Sequence, residues 1–392
     1  MAQRWRVLAL LFLVRTTMAF QFQAVGALSP AFQQSFAVGI ADIGVLIGLF
    51  FAPGMFLSIP GGALGQRFGA KQIVLAGLAL MTAGGAMMAV SDAWAAQIAG
   101  RLIAGLGGIL LNVLMTKMVA DWFSGKEISF SLAVFVMSWP VGIAVALIVL
   151  PVIGQVYGLT AALTLVATLA GTGLIGMALL YRSPATAAEA GGPAAVCVRV
   201  RGAMLGAVIA AGAIWGIYNG ALSVVFSFGP DLFIARGMSP AVAGSTTSII
   251  LWLLAIVGSF AGFLVDWSGR RYLILAGGNL GFAAFVLIGS WTDQVLLNVI
   301  AMGAFSGVAV GAMMSLPALV LLPEARAFGM GIFFSVFYLF QMAGPMIAGW
   351  VGDLTGNVAA TYQYAALLLV ISVAILPLYD GLARRVRRER AL

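Results

Sequence analysis

The chain has no histidine, one cysteine and few charges, with only 8% of its 392 residues being Asp, Glu, Lys or Arg. Without histidine there is no imidazole base, no Ser-His-Asp triad and no helical histidine pair for zinc. With Cys197 alone, no intrachain disulfide or cysteine-rich metal cluster can form. Glycine patterns lie within apolar runs, where packing explains them better than phosphate binding. An enzyme is therefore not expected, and neither a cofactor nor a metal. The 12 acidic residues all read as loop or helix-end positions, Asp231 and Asp266 among them, so a carboxylate relay inside a membrane lacks parts.

Hydrophobic residues make up 62% of the sequence. A soluble domain carries about 25% charged residues, and so little polar surface cannot cover a globule of this length. The bilayer is the expected solvent. A spanning helix needs about 20 apolar residues, and twelve such runs lie near 7–27, 42–62, 72–91, 94–115, 130–151, 158–181, 203–226, 241–265, 272–291, 294–317, 328–350 and 358–379. If the N-terminus is cytoplasmic, every Lys and Arg falls on the cytoplasmic side except Arg15 and Arg101, which lie within helices, and Arg236, in an outer loop. Asp42, Asp92, Asp231, Asp293 and Asp353 fall outside. The positive-inside rule then predicts both termini cytoplasmic and an integral protein of the cytoplasmic (inner) membrane. The net charge of +8 is explained by this distribution and does not imply nucleic acid as a partner.

Residues 182–201, rich in Ala, Gly and Pro, interrupt the apolar pattern and divide the chain into six-helix bundles at 1–181 and 202–392, the second with a basic cytoplasmic tail. The halves repeat at an offset of 200: Gly62 and Gly69 match Gly262 and Gly269, and Pro30 matches Pro230. Internal duplication is a mark of transporter folds, with the substrate near the midplane between repeats. The matching turns GALGQRFGAK (62–71) and GFLVDWSGRR (262–271) resemble the signature of the major facilitator superfamily, and GRLIAGLG (100–107) resembles its helix 4 motif. The resemblance implies an all-α membrane protein of twelve helices in two pseudo-symmetric bundles. It also implies a conformational role for Gly62, Arg67, Gly69, Lys71, Asp266, Gly269, Arg270 and Arg271. Gln66 stands where the family has Asp in the first copy, and Trp267 where it has Arg in the second, so each copy keeps the charge the other lost. Helix 1 (RTTMAFQFQAVGALSP) and helices 4 and 5 (KMVADWFSGKEISFSLAVFVMSWPVG) are similar to the cyanate permease-type branch, near the nitrate/nitrite porters, which implies small anions.

Arg15 is the leading candidate for substrate contact. It lies roughly 12 Å into its helix at 1.5 Å per residue, and burying a guanidinium there costs about 3 to 10 kcal/mol. With no mid-helix acid to neutralise it, the group suits an anion that a planar fork can grip in two places. Snorkelling to the interface, or a helix-end carbonyl partner, is the competing explanation. Phe22 and Gln23 lie on or near its face; Trp215, Tyr218 and Asn219 occupy the equivalent place in helix 7. Arg101 reads either as a second anion contact or as a structural residue. Ser138 and Trp139 beside Pro140, and Tyr338 and Gln341 near Pro345, sit in helices that proline lets bend. The expected function is a secondary carrier of a small solute, an anion by this reading, working as anion exchanger or substrate–proton symporter and as a monomer. A multidrug or lipophilic-compound exporter and a non-transporting membrane sensor are the alternatives.

Overall fold

The computed structural model describes residues 3–123, 127–183, 200–322 and 325–391. Most of the connector expected at 182–201, including Glu189, Cys197 and Arg199, lies outside the described residues, as do Lys126 and Glu324.

The described chain is a succession of helices. The first bundle comprises α1 (Gln3–Ala27), α2 (Ser29–Phe36), α3 (Ile40–Leu49), α4 (Ala52–Leu57), α5 (Pro60–Phe68), α6 (Ala70–Val90), α7 (Trp94–Trp122) and α8 (Ile128–Leu180). The second comprises α9 (Gly202–Ala235), α10 (Pro240–Ser268), α11 (Arg271–Gly289), α12 (Val295–Val320), α13 (Arg326–Thr355), α14 (Ala359–Ala374) and α15 (Leu376–Ala391). Among the described residues, eleven helical segments are long and apolar enough to span a membrane. One of these, α8, turns at Gly158, whose φ of 86° is one that a side chain disfavours, and so crosses twice. Twelve crossings result, as the apolar runs predict.

The second crossing departs from expectation in detail. It is three helices in series, because Pro53 and Pro60 each stand at the start of a new one, where their missing N–H costs nothing. Helix α9 departs further. The sequence pattern ends it near 226, but the helix continues through Pro230 to Ala235. Asp231 is therefore not a loop residue, whereas Arg236 lies in the turn that follows the helix. Asp231 is inside the helix and only 7% exposed. Arg236 caps the same helix and donates to the carbonyls of Gly289 and Thr292, both at 2.8 Å, at the end of α11. A cation there meets the negative end of a helix dipole.

The bundles meet along two seams, α3 and α4 against α13, and α8 against α10. Small residues make the first seam possible. A Cβ on Gly44 would lie 2.3 Å from the Pro345 carbonyl oxygen, and one on Gly349 would lie 2.5 Å from that of Ile40. Backbones can approach this closely only where one side is glycine. The face carrying the chain ends is called here the terminal face, and the opposite one, with the starts of α3 and α10 and the end of α13, the far face.

Candidate functional site

Arg15 projects from α1 towards α7 and α8. Its Nη1 donates to the Phe135 carbonyl and its Nη2 to the Asn112 Oδ1, both at 3.1 Å. The guanidinium carbon lies 4.7 Å from the centroid of the Phe135 ring. Nε is buried and has no hydrogen-bond partner. Among the described residues no carboxylate forms an ion pair with Arg15. The Phe135 carbonyl also accepts from the Ser138 hydroxyl at 2.6 Å, so that side chain supports the Arg15 acceptor.

The amide of Asn112 is the hinge of the arrangement. Its oxygen accepts from Arg15 while its Nδ2 donates to the Tyr338 hydroxyl at 3.2 Å, joining α1 and α7 of the first bundle to α13 of the second. Sequence reading missed Asn112. The only signal was one amide in the apolar run GILLNVLM, and such residues are more often interhelical glue than ligand contacts. Above this chain the aromatic rings close in. Trp139 stacks on Phe22 with centroids 5.4 Å apart, Phe51 lies 4.7 Å from Phe22, and Tyr338 stacks on Phe51 at 6.0 Å. Arg15, Phe22, Trp139 and Tyr338 are thus brought together, with Asn112 and Phe51 added. These groups set a guanidinium and a cluster of ring faces near one another between the two bundles.

Other expected contacts are elsewhere. Arg101 is 1% exposed, and its Nε and Nη1 donate to the carbonyls of Leu46 and Gln21, both at 2.9 Å, with Nη2 on that of Phe22. The rings of Phe50 and Phe22 flank it at 4.8 and 5.6 Å. All three nitrogens are occupied, so the geometry favours the structural reading over a second anion contact. Gln23 donates to the Phe226 carbonyl at 3.2 Å, tying the bundles together. Trp215 stacks on Tyr218 and Phe337, Tyr218 is buried with its hydroxyl on the Ser306 carbonyl, and Asn219 bonds back to its own helix at Trp215. Gln341 bonds Ser223 within the second bundle.

In the signature turns, Gly69 and Gly269 both take positive φ, 84° and 65°. Lys71 donates to the carbonyls of Ala178 and Tyr181 at the end of α8, and Arg67 is exposed beside Phe68. Gly62 falls within α5, Asp266 within α10, and Arg270 and Arg271 begin α11.

Known proteins agree with this architecture. The family model described as Major Facilitator Superfamily matches residues 11–234 and 204–391. The chain belongs to the major facilitator superfamily. It is similar to the inner membrane transport protein YajR of Escherichia coli (strain K12), 31% identical over 134 residues, which are 34% of this chain and 29% of YajR. It is also similar to the multidrug resistance protein MdtH of Aeromonas salmonicida (strain A449), 33% identical over 101 residues, 25% of each chain. The matched segments therefore span under a third of either relative. A bacterial homolog to the human lysosomal transporter Spinster, solved in an inward-facing and occupied conformation, superposes with a TM-score of 0.75 at 14% identity, covering 99% of this chain and 97% of that one. A D-xylose-proton symporter gives 0.75 at 15% identity, covering 95% and 97%. This superfamily member thus shares the fold of those solved proteins.

Proposed function

We propose that this carrier moves a small anion across the cytoplasmic membrane, with both termini cytoplasmic, and that Arg15 grips it. The observation that supports this reading is the state of the Arg15 guanidinium: among the described residues it is bonded only to neutral acceptors, with Nε unpartnered and no carboxylate paired to it. A half-buried cation left with net charge gains from an anionic guest. Its bridge through Asn112 to Tyr338 gives that guest a way to act on both bundles at once. The similarity of helices 1, 4 and 5 to cyanate permease-type and nitrate/nitrite porters points to the same substrate class.

Thermal shift of the purified protein against nitrate, cyanate and benzoate identifies a stabilising anion. Flux of that anion into proteoliposomes should then fall at least roughly tenfold in Arg15→Gln and Arg15→Lys, consistent with loss of a charge-assisted bidentate contact. Full flux in both variants would remove Arg15 from the site.

A second reading, export of lipophilic compounds, is supported by the ring cluster of Phe22, Phe51, Trp139 and Tyr338 and by the similarity to MdtH. It predicts protection against toxic hydrophobic compounds that survives Arg15→Gln.

Coupling by protons has a candidate in Asp231. This buried carboxylate meets Ser29 of the first bundle and has one oxygen without a partner.

A further inference from the structure

A basic cavity lies on the terminal face, apart from the seam between bundles. It has a volume of about 330 Å³ and is bounded by Arg270, Arg271, Tyr272, Leu273, Leu319 and Arg387. Three elements build it. Helix α10 stops at Gly269 in the left-handed conformation, so the chain turns sharply and delivers Arg270 and Arg271 to the start of α11. The end of α12 supplies Leu319. Helix α15 supplies Arg387 and is fixed in place by its apolar face: Tyr379, Ala383 and Val386 are buried, and the Tyr379 hydroxyl donates to the Leu316 carbonyl at 2.7 Å.

The charges around this cavity do not cancel. Asp380 borders it, but its carboxylate already takes Arg384 and the Tyr272 hydroxyl, and it reaches Arg387 only at 3.9 Å. Among the described residues Arg270 and Arg271 form no ion pair. The Nε of Arg271 is buried and has no hydrogen-bond partner. The other wall is apolar and open: Leu273 is 67% exposed and Leu319 37%. Guanidinium groups at one edge and bare leucines at the other fit a molecule with a phosphate at one end and hydrocarbon at the other. Basic pockets between spanning helices at the headgroup level bind such lipids.

We propose that this cavity is a binding site for the headgroup of an anionic phospholipid of the terminal-side leaflet. Its phosphate lies among Arg270, Arg271 and Arg387, and its acyl chains lie over Leu273 and Leu319. The bound lipid would fasten α15 to the turn between α10 and α11. The assignment is independent of what the central site carries.

The test is native mass spectrometry of the full-length protein with phosphatidylglycerol, phosphatidylcholine, inorganic phosphate and glycerol 3-phosphate as separate probes. Wild type should retain phosphatidylglycerol in preference to phosphatidylcholine. Arg270→Gln/Arg271→Gln should bind phosphatidylglycerol roughly tenfold more weakly, the loss expected for one or two charge-assisted contacts. Arg385→Gln/Arg388→Gln, which removes the same charge from α15 outside the cavity, should change it less than about twofold. Equal losses in the two double variants would show diffuse attraction to a polybasic surface and overturn the site. Binding of inorganic phosphate or glycerol 3-phosphate as tight as that of the lipid would overturn the lipid assignment, because the leucine wall would then contribute nothing. Unchanged melting of both variants in lipid-free detergent checks that the loss is not unfolding.

Discussion

Replacing Asp353 by Asn should loosen the seal between the bundles on the far face. Helix α3 starts there with exposed backbone N–H groups. The Gly39 N–H donates to the Asp42 Oδ2 at 3.1 Å, within the same bundle. The next two N–H groups use the other bundle: Ile40 donates to Asp353 Oδ1 at 3.0 Å and Ala41 to Oδ2 at 2.9 Å, with Asp353 near the end of α13. One carboxylate thus caps a helix that belongs to the opposite half of the molecule. Any motion that parts the bundles on this face must break both bonds. In a sheltered site, hydrogen bonds to a charged group contribute about 1.5–3 kcal/mol each. Asp353 is exposed, so water and salt reduce that, and an exposed charge at a helix N-terminus contributes about 0.3–1 kcal/mol. Asparagine keeps one acceptor oxygen and loses the charge. A net loss of about 1 kcal/mol then corresponds to a roughly fivefold rise in the ratio of far-open to far-closed molecules.

The assay is pulsed electron-electron distance measurement with spin labels on Asp92→Cys and Asp293→Cys in a Cys197→Ser background, one label per bundle on the far face. Asp353→Asn should raise the long-distance population about fivefold, and less in high salt because exposed charges are screened. Asp42→Asn serves as the control. It weakens the same helix end, but Asp42 travels with α3, so the protein should melt earlier while the distance distribution stays put. An unchanged distribution in Asp353→Asn, or an equal change in Asp42→Asn, would refute the claim that the cross-bundle cap holds this face shut.

Arg101→Ala should lower the melting temperature sharply, by the equivalent of about 3 kcal/mol or more, since it empties a buried volume and deprives three carbonyls of a donor; a well-folded Arg101→Ala protein that has lost only anion binding would reverse the assignment. Gly44→Ala and Gly105→Ala each place a Cβ 2.3 Å from a carbonyl oxygen, that of Pro345 and of Phe50 respectively. Gly105 packs inside the first bundle, so its variant should lose about 1–3 kcal/mol of stability in a melt, whereas Gly44 faces the other bundle, so its variant should melt nearer to wild type and populate the far-open state. Asp231→Asn should abolish accumulation driven by a pH gradient while leaving exchange between equal concentrations intact; unchanged accumulation in proteoliposomes would exclude Asp231 from coupling.

The architecture was legible because the bilayer imposes it. Length and apolar content located all twelve crossings, and the offset of 200 between Gly69 and Gly269 reappears as positive φ at both turns. What was not legible depends on long-range partners. The pattern places Asp231 in a loop because a carboxylate after a proline usually ends a span. It stays inside α9 because Ser29, some two hundred residues away, meets it across the bundle interface. Asn112 was passed over for the same reason. Nothing local distinguishes an amide that glues two helices from one that links Arg15 to Tyr338, and only the crossing of α1, α7 and α13 does so.

Arg15, half-buried, and Arg101, buried, show how far the electrostatic argument reaches. Among the described residues neither is paired with a carboxylate, and the sequence logic that a guanidinium inside a span calls for an anion applies to both. Arg101 answers that demand internally. Helix carbonyls have a second lone pair, and those of Gln21, Phe22 and Leu46 converge on its three nitrogens, joining α1, α3 and α7 into one rigid unit. Among the described residues Arg15 finds one carbonyl and one amide oxygen, and its Nε stays unbonded. On the proposed function, an anion arriving at Arg15 competes with the Asn112 amide oxygen for the guanidinium, and the same amide donates across the bundle seam to Tyr338. In that proposal binding is coupled to bundle contact, and coupling of this kind is needed because a ligand shifts the balance between two states only through contacts that differ between them. The bonds of Arg101 join helices of one bundle only, so in the same proposal they do not change with how the bundles meet.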